Sequence, residues 1–153
     1  MDLITRRQPQ KVEDWPRKLI GYLVEVENKP FRYGTHDCFL FAVDCIKVMT
    51  GVDIGGDWRG TYNTELGAVK KVIKKQNKDW DLIDFWSWLM SQHGCQEVKI
   101  NFAHRGDPVF IDDDNDNLGL GIIDPGGLGV LCVGELGLVK IKKNNILQAW
   151  SIE

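Results

Sequence analysis

Apolar residues recur at helical spacing as far as His93, and from Gln96 onward they alternate or cluster in short β-forming runs between turn signals. The first pattern predicts four helices. Trp15-Pro16 with Leu19, Ile20, Leu23, Val24 and Glu27 predicts an amphipathic helix with Pro16 in its opening turn, stopped by Asn28-Lys29-Pro30. The second helix starts near Asp37, whose carboxylate can cap free N–H groups, and ends before Gly51. Phe39, Leu40, Phe41, Ala42, Val43, Cys45, Ile46 and Val48 cover almost its whole circumference, which makes it the central helix. A Gly- and Asp-rich loop from Val52 to Tyr62 leads to a third helix after Asn63 or Thr64. That helix carries Leu66, Val69, Val72 and Ile73 on one side and lysines on the other. The fourth runs from Asp79 or Trp80 to His93 and is ended by Gly94.

The second pattern predicts strands over Val98–Phe102, Pro108–Ile111, Leu120–Ile123, Val130–Val133, Leu138–Ile141 and Gln148–Ile152. Helices in one half and a meander of strands in the other imply α+β, with the N-terminal helices packed on one face of a C-terminal antiparallel sheet of five to six strands. Residues 1–153 are expected to form a single domain, with residues 1–12 as an extended N-terminal arm.

Charge and composition narrow the functional classes. The net charge is −3, and the only local basic edge, Lys70, Lys71, Lys74 and Lys75, reads as a solvated helix face, so no nucleic-acid partner is expected. Met1 to Gln10 lacks an apolar signal core, and no apolar run approaches the roughly 18 residues of a membrane span. Cys38, Cys45, Cys95 and Cys132 are widely spaced in mostly apolar sequence, which suits reduced thiols in a cytoplasm rather than a disulfide scaffold.

One cysteine is placed for chemistry. In Pro30-Phe31-Arg32-Tyr33-Gly34-Thr35-His36-Asp37-Cys38 the thiol falls at the first turn of the central helix, where N–H groups and the macrodipole favour a thiolate nucleophile. Packing alone would make Cys38 a small buried residue, like Cys45 seven positions later. His36-Asp37-Cys38 and His93-Gly94-Cys95 have the residue types of a zinc site but not its spacing. Asp112 to Asn117 offers alternating oxygens but has Asn117 and Ile123 where a calcium loop needs glycine and glutamate, and it reads as a turn. No cofactor and no metal is therefore expected. Trp86 and Trp88 lie about 200° apart on a helical wheel, so one of them is expected outside the core, as an anchor for a partner.

The string Tyr33-Gly34-Thr35-His36-Asp37-Cys38, followed by Arg105-Gly106-Asp107-Pro108-Val109-Phe110 and Gly119-Leu120-Gly121-Ile122-Ile123, resembles NlpC-type cysteine peptidases, which have papain-like folds. Within that superfamily the chain looks most like a group of small phage and prophage proteins. It does so through Trp15-Pro16, Pro30-Phe31, His36-Asp37-Cys38, Thr50-Gly51, Arg59-Gly60, Tyr62, Arg105-Gly106-Asp107 and Ala149-Trp150-Ser151-Ile152. The resemblance runs from about Trp15 to Ile152 and implies that Cys38 holds the nucleophile position and Asp107 the Gly-Asp turn before the first core strand. It also places Gly119 where the general-base histidine belongs, and glycine cannot take a proton. The third position of such peptidases, which orients the histidine, would fall on Val130–Val133, where Cys132 is the only polar residue.

His36 and His104 are the substitute bases the chain offers. Neither is at the strand position, and His36 is expected to be a hydrogen-bonding residue of its loop. The resemblance thus implies a catalytically inactive structural or assembly component of a phage tail, at the tip or hub. It would be made in the host bacterial cytoplasm, incorporated in the virion and in contact with other tail proteins. The alternative is an active cysteine peptidase or amidase that cleaves peptidoglycan stem peptides during infection. There Cys38 would attack the carbonyl, His36, His104 or a neighbouring subunit would move the proton, and N–H groups at the helix start would hold the oxyanion.

Overall fold

Asp37 opens the helix around which the fold is built. Its extended backbone precedes α2, Cys38–Thr50, its side chain accepts from Leu40 N, and Gly51 at φ 79° closes the helix in the left-handed region. The chain is seen here as a computed structural model describing residues 7–115 and 117–153. Residues 1–6 of the expected arm, and Asp116 of the acidic loop, lie outside the described residues. The described part of the arm is tied to the body by Lys11 N to Glu153 O (3.2 Å) and Val12 N to Met49 O (2.9 Å).

The other helices are α1, Trp15–Val26, with proline in its first turn, and α4, Leu82–Gln92, opened by a reciprocal capping box between Asp81 and Asp84. Between α2 and α4 lies α3, which is α-helical over Glu65–Ala68, a π-turn over Val69–Ile73 and α-helical again over Lys74–Gln76. The π-turn corrects the expected apolar face. An inserted residue rotates everything before it relative to everything after, so Val72 and Ile73 are buried while Leu66 is 61% exposed.

The strands are β1 Glu97–Val98, β2 Pro108–Asp112, β3 Leu118–Ile123, β4 Val130–Gly134, β5 Gly137–Ile141 and β6 Ile146–Trp150. They form one antiparallel sheet in the order β1-β6-β2-β3-β4-β5. Of the first expected strand, Val98–Phe102, only Val98 pairs with β6, together with Glu97 before it, and Ile100–Phe102 coils into a 3₁₀ turn with Phe102 65% exposed. The architecture is α+β, and no helix of the described residues is long and apolar enough to cross a membrane.

Helix α2 serves two apolar clusters at once. Phe39, Leu40, Val43 and Ile46 pack with α4 and with Leu120 of β3, while Phe41, Cys45 and Met49 pack beneath Leu19 and Leu23 of α1. On the sheet, Phe110 and Leu120 face the helices. Val109, Ile111, Ile123 and Val130 point the other way, into a third cluster of strand and connecting residues. The central strands β2 and β3 are therefore largely buried on both faces, and β3 is brought against the start of α2.

Candidate functional site

The loop before α2 is held by main chain and by one carboxylate. Arg32 and His36 pair as an isolated antiparallel bridge, with Arg32 N to His36 O at 3.0 Å and His36 N to Arg32 O at 2.8 Å. Between them Gly34 has φ 85°, and a Cβ there would lie 1.8 Å from Tyr62 O, so only glycine fits. Asp37 is 3% exposed; its Oδ1 accepts from Leu40 N and its Oδ2 from Gly34 N (3.0 Å) and the Tyr62 hydroxyl. Burial and the neighbouring Asp37 carboxylate drive the Tyr62 phenol far above its ordinary range. Arg59 ties the same region to α2, with Nη1 2.8 Å from Asp44 Oδ1 and Nη2 3.0 Å from Asp53 Oδ1. Sequence reading missed the roles of Tyr62 and Arg59, although both belong to the motif that carried the resemblance.

This frame holds the Cys38 thiol at the floor of a cleft of roughly 1230 Å³. One wall is α3, through Ala68, Val69 and Val72, and the other is the strand edge with Ile111, Val133 and Val139. Gly119 faces the sulfur. A Cβ added there would sit 3.8 Å from Cys38 Sγ and 3.9 Å from its Cβ, with nothing else within 4 Å. Main-chain N–H groups of Leu120, Phe39 and Cys38 itself pull the thiol pKa down, yet burial outweighs them and pushes it up to about 11. The protonated thiol therefore dominates near neutrality. Cys132 lines the same cleft and is likewise pushed up to about 12, by burial first and then by the nearby Cys38.

Neither substitute histidine reaches this sulfur. The His36 ring is fully buried and edge-on to Phe41, with centroids 6.1 Å apart, in the cluster beneath α1 rather than in the cleft. Both ring nitrogens lack a hydrogen-bond partner among the described residues, so the expected hydrogen-bonding role is seen in its main chain. Burial, followed by Lys29, holds its pKa below the ordinary imidazole value. His104 is exposed at the opposite end of the β2–β3 hairpin, beside Gly106 N to Ile123 O, whereas Gly119 lies opposite Ile111. Four residues of strand separate the two ends, roughly 13 Å.

Asp107 is structural. Fully buried, it accepts from Ile152 N (3.1 Å), His104 N (2.8 Å) and Lys11 Nζ (3.5 Å), which joins the arm, the turn and the C-terminal segment. Trp86 is not a partner anchor. It is fully buried against Phe39 and Trp150, because α4 is covered on several sides and not one. Trp88 is half-buried, with Trp58, Trp80 and Phe85 around it. His93 Nδ1 donates to Arg7 O, and Cys95 Sγ is directed at His93 O. Among the described residues no three His, Cys, Asp or Glu side chains converge as metal ligands. Asp113 spends its carboxylate on Asn115 N and Asn117, as a turn does.

The span from the arm to Ile152, with every helix and strand, has a counterpart in a family model that matches residues 10–152. The chain belongs to the DUF6950 family, a domain of unknown function. No curated protein and no solved structure matches it. Cys38, Gly119, Cys132 and both walls of the cleft lie inside the DUF6950 span.

Proposed function

We propose that this DUF6950 chain is a non-hydrolytic relative of NlpC-type cysteine peptidases, with a papain-like arrangement of helix and sheet. Its cleft would bind rather than cleave, and it would serve as a structural or assembly component of a phage tail, at the tip or hub. The observation that carries the non-hydrolytic part is the pair Cys38 and Gly119: the residue beside the sulfur has no side chain to accept a proton. General-base help contributes about 10²–10⁴ in rate, and a thiol raised to about 11 is almost wholly protonated near neutrality. The virion location, the tail proteins as partners and the origin in a host bacterial cytoplasm rest on the sequence resemblance.

Two measurements test the proposal. The first is the pH dependence of Cys38 alkylation, together with incubation on purified peptidoglycan. Slow alkylation at neutrality and no released fragments are expected. Rapid alkylation at neutrality with soluble muropeptides would establish the hydrolase instead. The second is mass spectrometry of purified virions from a phage that encodes the chain; its absence from particles would restrict it to assembly.

A further inference from the structure

The cleft over Cys38 has a chemical polarity that the thiol does not explain. At roughly 1230 Å³ it exceeds the ~300–1,000 Å³ of pockets that enclose small molecules, so its size suits a length of polypeptide. Its floor and walls are mainly apolar, and apolar side chains stand at the rim: Leu118 is 58% exposed and Val139 46%. The charges that line it are all of one sign. Glu65 stands on the α3 wall, and Asp113 and Glu135 on the strand wall, while no Lys, Arg or His is among the described residues lining it.

Asp37 also lines the cleft but is consumed by its own hydrogen bonds. Asp113 likewise spends both oxygens on Asn115 and Asn117, whereas Glu65 and Glu135 take part in no ion pair among the described residues. Carboxylates around low-dielectric walls focus a negative potential into the space between them, which attracts cations and repels phosphates and carboxylates. A protonated Cys38 adds no charge to the floor.

We propose that the cleft is the docking site for an extended segment of a partner protein that combines apolar side chains with lysine or arginine. The apolar side chains cover the floor over Cys38 and Gly119, and the cationic ones meet Glu65 on one wall and Glu135 on the other. This inference rests on the non-hydrolytic reading above, and it assigns the binding partner its chemistry.

The probe is a fluorescein-labelled octapeptide alternating lysine with valine and leucine, compared with the same peptide carrying glutamate in place of lysine. Binding is read by anisotropy, occupancy of the cleft by the rate of Cys38 alkylation at alkaline pH, and cleavage by mass spectrometry of the recovered peptide. The cationic peptide is expected to bind, to slow Cys38 alkylation and to be recovered intact. Its affinity should fall about five- to tenfold in the double variant Glu65→Lys, Glu135→Lys, and should weaken with added salt.

Equal binding of the acidic peptide, or binding that leaves Cys38 alkylation unchanged, would overturn the proposal while the non-hydrolytic reading stood. So would protection of Cys38 without peptide in a protein that sediments as a dimer, since a second copy would then fill the cleft. A cleaved peptide would instead overturn the non-hydrolytic reading itself.

Discussion

Gly119 on β3 faces Cys38 at the start of α2, with 3.8 Å from the place of an added Cβ to the sulfur. No other heavy atom of the described residues beyond the adjacent chain lies within 4 Å of that place, and the backbone there is not in the left-handed region, so a Cβ at 119 is sterically admissible. Gly121, two residues on, differs: a Cβ there would meet Leu131 O at 2.6 Å and Cys132 Sγ at 2.8 Å. Space therefore requires the second glycine of this strand but not the first.

Replacing Gly119 with histidine should convert an inert thiol into a reactive one. An imidazolium beside the sulfur stabilises the thiolate, and a fall of two units from about 11 would raise the thiolate fraction at neutral pH roughly a hundredfold. The Cys38 alkylation rate as a function of pH should show the shift in Gly119→His. Gly119→Phe, which fills the same space without a base, should leave the thiol at or above its present value.

His36 should make the fold acid-sensitive. Its pKa in the folded state lies below the ordinary value of 6.5, so the folded protein favours the neutral ring while the unfolded chain protonates near that value. Its contribution is thus present above about 6.5 and is lost as pH falls through the lower folded value. Urea denaturation at several pH values should show a steeper loss on the acid side for the wild type than for His36→Phe. At neutral pH the variant should be no less stable, because it removes two buried nitrogens that have no partner.

Asp37 and Tyr62 should be energetically coupled. Tyr62→Phe removes one donor to the buried carboxylate and is expected to cost about 1–2 kcal/mol; Asp37→Ala also removes the helix cap and should cost about 3 kcal/mol. A double-mutant cycle by chemical denaturation should return a coupling of about 1 kcal/mol, and strict additivity would show that the contact contributes nothing.

Gly34 and Gly51 share a positive φ but should respond differently to alanine. At Gly51, φ 79°, an added Cβ meets nothing within 4 Å, so Gly51→Ala should cost about 1–2 kcal/mol from the backbone alone. At Gly34 the same Cβ would collide with Tyr62 O, so Gly34→Ala should be worse by several kcal/mol or abolish folding. Comparable thermal midpoints for the two variants would show that the loop relaxes away from Tyr62.

Local chemistry was legible in the sequence. Asp37 and Gly51 bound α2 because capping depends on residues within one helical turn, and the four helical segments and six strand regions follow from period and punctuation alone. The two departures in secondary structure, the π-turn at Val69–Ile73 and the 3₁₀ turn at Ile100–Phe102, occur where packing sets the helical phase or where few strand partners exist. Cys38 at a helix start was equally visible, and so was the glycine at position 119.

What the thiol is worth was decided by tertiary structure. A helix N-terminus argues for a thiolate, but β3 packs against α2, and the desolvation of a charge at the half-buried Cys38 outweighs three nearby N–H groups. The same long-range packing turns His36 into a partnerless core residue, encloses Trp86 between Phe39 and Trp150, and opens a carboxylate-rimmed cleft over Cys38. Burial and facing are properties of segments far apart in the chain, and no local pattern of residues encodes them.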